Sequence, residues 1–104
     1  MGITKDAENV ICYLYKIYLD RRKDNISRDE AAFFEEEFFY SDKKLSKISA
    51  SDLDSYFCEL KENGYIKYDV CGNVEIKNEA IVYMENRFKN NILALLDIVS
   101  KFIP

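Results

Sequence analysis

The sequence predicts an α+β fold in one domain over residues 1–104, with three helices, a two-stranded β-hairpin and a helical C-terminal extension. Three observations predict it. Apolar residues recur at steps of three and four over most of the chain. After Gly64 the step changes to two. A chain of 104 residues that is 48% hydrophobic, with three glycines and one proline, has enough apolar side chains for one core.

The first helix is predicted over residues 4–23. Thr4 is a good N-cap, and Asp6 follows in the first turn, where the helix dipole favours an anion. The apolar positions fall on one stripe, which consists of Ile3, Ala7, Val10, Leu14, Ile17 and Tyr18. Basic residues 21–23 complement the dipole at the other end, with a phosphate contact as the alternative.

A second helix is predicted to begin at the S-x-x-E capping box of residues 27–30 and to end near Ser41. It carries five aromatic residues, which one core-facing stripe cannot cover. Phe33 and Tyr40 project away from that stripe, so another element covers them or they are exposed. Exposed large aromatics among carboxylates are typical of a partner surface. The predicted partner-binding residues are Phe33, Glu36, Glu37 and Tyr40.

The third helix is predicted over residues 50–63. Ser49 is the N-cap, Asp52 stands at N3, and Ile48 and Leu53 form a hydrophobic staple around the cap. Gly64 follows the helix, where a C-cap glycine is expected. Two strands, 65–70 and 74–77, then alternate around the turn Cys71-Gly72-Asn73.

The C-terminal extension, about 79–103, is predicted as one helix or as two with a break near Asn86 or Asn90-Asn91. Between Ile92 and Ile103 the apolar residues cover more of the circumference than one small core can bury. We therefore expect a homodimer through this segment. Its predicted interface consists of Leu93, Ala94, Ile98 and Phe102.

Composition excludes several function classes. The chain has no histidine, which excludes His-based triads and His metal sites. The three cysteines, Cys12, Cys58 and Cys71, form no CxxC pair and are predicted to be reduced thiols. No catalytic motif or phosphate-cradling glycine loop is present, so neither an enzyme, a metal nor a cofactor is predicted.

The location of the protein is also predicted from composition. The N-terminus lacks the features of a secretion signal, and the most apolar stretch is shorter than the roughly twenty residues of a membrane span. We expect a cytoplasmic protein with no membrane partner.

The order helix, helix, helix, hairpin resembles a winged helix-turn-helix domain. The segment Leu60-Lys61-Glu62-Asn63-Gly64-Tyr65-Ile66 is similar to the junction between recognition helix and wing in that superfamily. The ending, from Glu85-Asn86-Arg87-Phe88 to Phe102-Ile103-Pro104, is similar to that of the small YjcQ-like proteins of low-GC Gram-positive bacteria and their phages. The resemblance covers roughly residues 5–103 and implies a winged-helix fold.

The resemblance implies a small DNA-binding regulator, because the third helix of DNA-binding winged helices enters the major groove while the wing contacts the backbone or minor groove. The residues that would contact double-stranded DNA are Lys43, Lys44, Lys47, Ser51, Ser55, Lys67 and Lys77. The charge opposes this role. The net charge is −4, and the third helix has no arginine and four carboxylates against Lys61.

The alternative is an acidic winged helix that binds protein, such as a phage-encoded inhibitor or DNA mimic that docks on a host complex. Its basis is the acidic second and third helices with their aromatic residues.

Overall fold

A computed structural model describes residues 2–102, and these residues form six α-helices, one short 3-10 turn and three β-strands. In chain order they are α1 (Lys5–Lys23), α2 (Arg28–Ala31), β1 (Phe33–Phe34), α3 (Glu36–Ser41), the 3-10 turn (Leu45–Lys47), α4 (Ala50–Glu62), β2 (Ile66–Tyr68), β3 (Val74–Ile76), α5 (Asn78–Phe88) and α6 (Ile92–Ser100). The α+β class predicted from the sequence is confirmed.

The three predicted N-caps are present. The side chains of Thr4, Ser27 and Ser49 each accept a hydrogen bond from the amide three residues later, at 3.3, 3.3 and 3.1 Å. Each bond satisfies one of the amides that a helix start leaves without an intrahelical partner. The sequence therefore places the starts of α1, α2 and α4 correctly.

The predicted hairpin forms from β2 and β3, but the sheet has three antiparallel strands in the order β1-β3-β2, so the prediction that the sheet has only two strands is wrong. Phe34 pairs with Val74, and the Ile76 amide donates to the Ala32 carbonyl at 2.9 Å. Without β1, the outward amides and carbonyls of β3 would lack these partners. Pairing with a distant strand thus overrides the helical periodicity of this segment.

The predicted second helix is accordingly split into α2 and α3, with β1 between them. Arg21 of α1 fixes the break. Its guanidinium donates to the carbonyl of Ala31 at 3.2 Å and to that of Phe33 at 2.8 Å, and it lies 4.3 Å from the centre of the Phe34 ring. This contact gives Arg21 a structural role in place of the phosphate contact.

The buried side chains form one hydrophobic cluster around α1, which packs against α2, α4, α5 and α6. Val10, Ile11 and Leu14 of α1 are fully buried, as are Phe34 of β1 and Leu95 of α6. Among residues 2–102 no helix is both long enough and apolar enough to cross a membrane.

The C-terminal extension forms two helices, α5 and α6, and breaks at Asn90-Asn91, one of the two predicted places, whereas Asn86 lies inside α5. The Asn91 side chain accepts from the Ala94 amide at 3.2 Å and so begins a new helix. Helix α6 ends at Ser100; the last predicted residue, Ile103, lies outside the described residues.

Two residues predicted at the dimer interface pack against the core of their own chain instead. Phe102 is 6% exposed, and its ring lies 5.2 Å from that of Tyr13, so placing it at an interface was wrong. Ala94 is partly buried against the same core. Both face inward because α6 lies against α1 and covers it.

Candidate functional site

A concave patch between α3, α4 and the hairpin combines carboxylates with tyrosines. We call it the acidic-aromatic face. It consists of Glu36, Tyr40, Asp54, Tyr68 and Gly72, which surround a cavity of about 60 Å³. The apolar residues at its base are Phe39, Leu53 and Phe57. An apolar floor below a charged rim is the usual chemistry of a small protein-binding pocket.

One side of the rim is the pair Asp54 and Tyr68. The Tyr68 hydroxyl donates to Asp54 Oδ1 at 2.6 Å, and its ring packs edge-on against Phe57 at 5.2 Å. Burial, and then the hydrogen bond to Asp54, raises the pKa of Tyr68. The hydroxyl therefore stays protonated and holds the carboxylate in place at neutral pH.

A second pair on the rim is Glu36 and Tyr40, one turn apart on α3. The Tyr40 hydroxyl donates to Glu36 Oε2 at 3.1 Å, although the residue is 65% exposed. The Asn73 side chain accepts from the Glu36 amide at 3.0 Å, which ties α3 to the hairpin turn. A tyrosine this exposed, held by a carboxylate, is available for contact with a partner.

Gly72 allows the hairpin turn to approach α3. Its φ is +90°, and a Cβ built there would lie 3.0 Å from both Cγ and Oε2 of Glu36. The turn is closed by Asp69, whose Oδ1 accepts from the amides of Cys71 and Asn73, each at 2.9 Å. The Asn73 amide, as the largest cause, lowers the pKa of Asp69, so this carboxylate is committed to the turn.

The residues predicted to bind a partner are divided between two surfaces. Glu36 and Tyr40 belong to the acidic-aromatic face, whereas Phe33 and Glu37 line a separate groove with Arg21. Phe33 is 39% exposed and also borders the outer surface of the sheet. The division follows from β1, which turns the chain between Phe33 and α3.

The residues predicted to bind DNA are not brought together either. Lys43 and Lys47 are exposed before α4, and Ser51 and Ser55 are exposed on α4 itself. Lys67 and Lys77 lie on the outer surface of the sheet together with Lys61 from the last turn of α4. The two lysine groups are separated by the length of this 13-residue helix, about 20 Å.

Lys44 has a structural partner at the other end of the chain. Its ammonium group donates to the carbonyls of Val99 at 3.0 Å and Phe102 at 3.2 Å. The last carbonyls of α6 lack intrahelical partners and attract a cation, so Lys44 acts as a C-terminal cap in place of a phosphate ligand.

The described part of α6 leaves an apolar strip uncovered. Ile92, Leu93 and Leu96 are 47%, 73% and 38% exposed. The dimer prediction requires Leu93 and Ile98 to be exposed. Leu93 is exposed, while Ile98 is half-buried against the core.

Sequence reasoning missed Asp54 and Tyr68 as a pair. Their side chains meet only because the hairpin folds back along α4; the two residues are 14 positions apart, and a helix end and a strand start lie between them. The signal in the sequence was weak: an aromatic residue with a polar tip in a strand needs a hydrogen-bond partner when it is partly buried.

Comparison with known proteins adds no further constraint. No family model matches the sequence, and no curated protein or solved structure matches it significantly. Within residues 2–102, no three His, Cys, Asp or Glu side chains are grouped as metal ligands would be. The geometry of the acidic-aromatic face is therefore the basis for assigning a function.

Proposed function

We propose that this chain is a winged-helix module that binds a protein partner, and that the partner presents basic side chains to the acidic-aromatic face. One observation carries the proposal. Glu36 of α3 and Asp54 of α4 both line one apolar-floored cavity, and each is held by a tyrosine hydroxyl.

The winged-helix assignment is supported by the order of the elements. A hairpin, β2 and β3, follows directly after α4, and β1 adds a third strand beside β3. In this arrangement α4 is the counterpart of the recognition helix and residues 69–73 form the wing.

The choice of protein over DNA rests on charge. The exposed side of α4 carries Asp52, Asp54 and Glu62 against the single cation Lys61 and has no arginine, and Asp69 stands at the wing. Phosphates brought to this surface would be repelled, because like charges across an interface cost several kcal/mol. An arginine or lysine side chain has the opposite properties: its apolar stem suits the aromatic floor and its cation suits the two carboxylates.

The proposal is tested by titrating the ¹⁵N-labelled chain with a ten-residue peptide of alternating Arg and Gly, and with a matched Glu and Gly peptide. We expect the basic peptide to shift the amide signals of residues 36–40, 54 and 68–73. The acidic peptide should not. Shifts confined to other surfaces would contradict the proposal.

A double variant and a matched control sharpen this test. Glu36→Gln with Tyr40→Ala should weaken binding of the basic peptide about tenfold, the usual loss for an aromatic contact with a charged neighbour. Glu79→Gln with Tyr83→Ala removes an equivalent pair, four residues apart and exposed on α5. This control should leave binding unchanged, and an equal loss in both variants would overturn the assignment.

Double-stranded DNA is the second candidate ligand, and one observation favours it. Lys43 and Lys47 are exposed beside the N-terminus of α4, whose first amides are a favourable site for a phosphate. Fluorescence anisotropy of a labelled duplex of about 30 base pairs, measured at two salt concentrations, tests it. Micromolar binding that weakens steeply with salt and is lost in Lys43→Glu with Lys47→Glu would favour DNA over the protein partner.

We also propose that the chain forms a homodimer through α6. The exposed strip of Ile92, Leu93 and Leu96 supports this proposal, because a two-fold axis would bring the same apolar residues of two chains together.

A further inference from the structure

The outer surface of the sheet carries a second concavity, which borders the acidic-aromatic face at Tyr68. We call it the outer sheet groove. It has a volume of about 460 Å³, and the residues that matter here are Phe33, Lys61, Lys67, Glu75 and Lys77. This volume lies within the range of small-molecule sites, about 300–1,000 Å³.

The pairing of the strands places an aromatic ring and a cation in one row. Phe33 of β1 is opposite Glu75 of β3, and Glu75 is opposite Lys67 of β2. Residues directly opposite one another project from the same surface of a sheet, so these three side chains lie side by side.

The groove is basic although the chain is acidic. Among the described residues the ion pairs are Lys16 with Asp20, Arg87 with Glu8, and Lys101 with Asp97, so none of the groove's lysines has a carboxylate within 4.0 Å. Asp69 also borders the groove; its carboxylate accepts from the amides of the hairpin turn and keeps its negative charge. Three lysines, Lys61, Lys67 and Lys77, thus outnumber the two carboxylates that line the groove, Glu75 and Asp69.

Phe33 is not part of the hydrophobic core. Its neighbour Phe34 is completely buried, whereas Phe33 is 39% exposed at the edge of the groove. An aromatic side chain exposed beside three ammonium groups combines the two elements that proteins use to bind nucleotides: a stacking surface for a base and cations for a phosphate.

We propose that the outer sheet groove binds a nucleotide unit, with its base stacked on Phe33 and its phosphate held by the three lysines. The unit is a free nucleotide or one residue of a single strand, since the bases of a duplex are stacked on each other and cannot reach Phe33. This site adjoins the acidic-aromatic face at Tyr68 but uses different binding residues, and its occupation does not depend on a protein partner.

The test is an NMR titration of the full ¹⁵N-labelled chain with AMP, with a ten-residue thymidine oligonucleotide and with inorganic phosphate. We expect AMP and the oligonucleotide to shift the amides of residues 33, 61, 67, 75 and 77, and phosphate alone to bind at least about fivefold more weakly than AMP, because it cannot stack. Similar affinity for AMP and the oligonucleotide would identify a free nucleotide as the ligand. An oligonucleotide at least tenfold tighter would identify a single strand.

Three variants separate the contributions. Phe33→Leu keeps an apolar side chain but removes the ring, and it should weaken AMP binding at least about fivefold. Lys67→Glu should abolish binding. Lys43→Glu makes the same charge change in the loop before α4 and should leave it intact. Thermal unfolding of each variant confirms that the chain is folded before it is titrated.

The proposal is overturned if millimolar AMP and the oligonucleotide leave the groove amides unshifted. It is also overturned if phosphate binds as tightly as AMP, or if Lys43→Glu reduces binding as much as Lys67→Glu does.

Discussion

The ammonium group of Lys44 lies 3.0 Å from the carbonyl oxygen of Val99, 55 residues further along the chain. This bond joins the loop after α3 to the end of α6. Lys44→Met keeps the aliphatic stem but removes the donor, and we expect it to lower the free energy of unfolding by about 1–2 kcal/mol. Lys43→Met, at the exposed neighbouring position, should change it by less than about 0.5 kcal/mol. Urea unfolding of both variants measures the difference. Equal effects would show that Lys44 does not stabilise the protein by capping α6.

The two phenylalanines of β1 should differ sharply in their contribution to stability. Phe34 is fully buried, so Phe34→Ala removes a ring from the core and should cost about 3–5 kcal/mol. Phe33 is 39% exposed, and Phe33→Ala should cost about 1 kcal/mol or less. Thermal or urea unfolding of the two variants measures these losses. A loss at Phe33 comparable to that at Phe34 would show that Phe33 is a core residue.

Stability should fall at alkaline pH. Burial raises the pKa of Cys12 from 9.0 to about 11, and burial, as the largest cause, raises that of Tyr15 from 10.0 to about 12. In the unfolded chain these groups ionise first, so above pH 9 the unfolded state binds fewer protons than the native state. The contribution of these two groups to the free energy of unfolding is therefore fully present below about pH 9, and it is lost as the pH rises towards 12.

Urea unfolding at intervals from pH 7 to pH 11 measures this decrease. In Tyr15→Phe one of the ionising groups is gone, so the decline above pH 10 should be shallower than in the parent chain. A free energy of unfolding that stays constant up to pH 11 would contradict the prediction.

Gly72→Ala should weaken binding of a basic peptide at the acidic-aromatic face. The new Cβ would lie 3.0 Å from the Glu36 side chain, which must then shift by a few tenths of an ångström and change its position on the rim. Gly64→Ala is the matched control: its φ is also positive, at +82°, but nothing lies within 4 Å of the added Cβ. Both variants pay a backbone strain of about 1–2 kcal/mol, whereas only Gly72→Ala should change the peptide affinity. If Gly72→Ala and Gly64→Ala changed the peptide affinity equally, Glu36 would not be part of the binding site.

The homodimer is tested by Leu93→Glu with Leu96→Glu. Light scattering should give twice the chain mass of 12.3 kDa for the parent and a single chain mass for the variant. Ile98 is half-buried and is left unchanged, so that the core is not disturbed. Val82→Glu on α5, a site 53% exposed, is the control and should stay dimeric. A parent chain that is already monomeric would rule out the α6 interface.

Local signals in the sequence were sufficient where a structure depends on neighbouring residues. The caps at Thr4, Ser27 and Ser49 and the glycine after α4 fix helix ends through bonds that span only a few residues. The hairpin around Gly72 likewise follows from strand alternation and a turn. Tyr40 was correctly expected to be exposed or covered by another element, and the structure shows that it is exposed.

By itself the sequence determined the α+β class, the helix starts and the acidic character of α4, because these are properties of adjacent residues and of composition. Tertiary structure alone decided that Phe33 and Phe34 form a strand, that Lys44 caps α6, and that Asp54 meets Tyr68. Each of these contacts joins residues far apart in the chain. Each is formed because a backbone group, an ammonium or a carboxylate needs a hydrogen-bond partner once the core has closed, and only the packed fold determines which partner lies within reach.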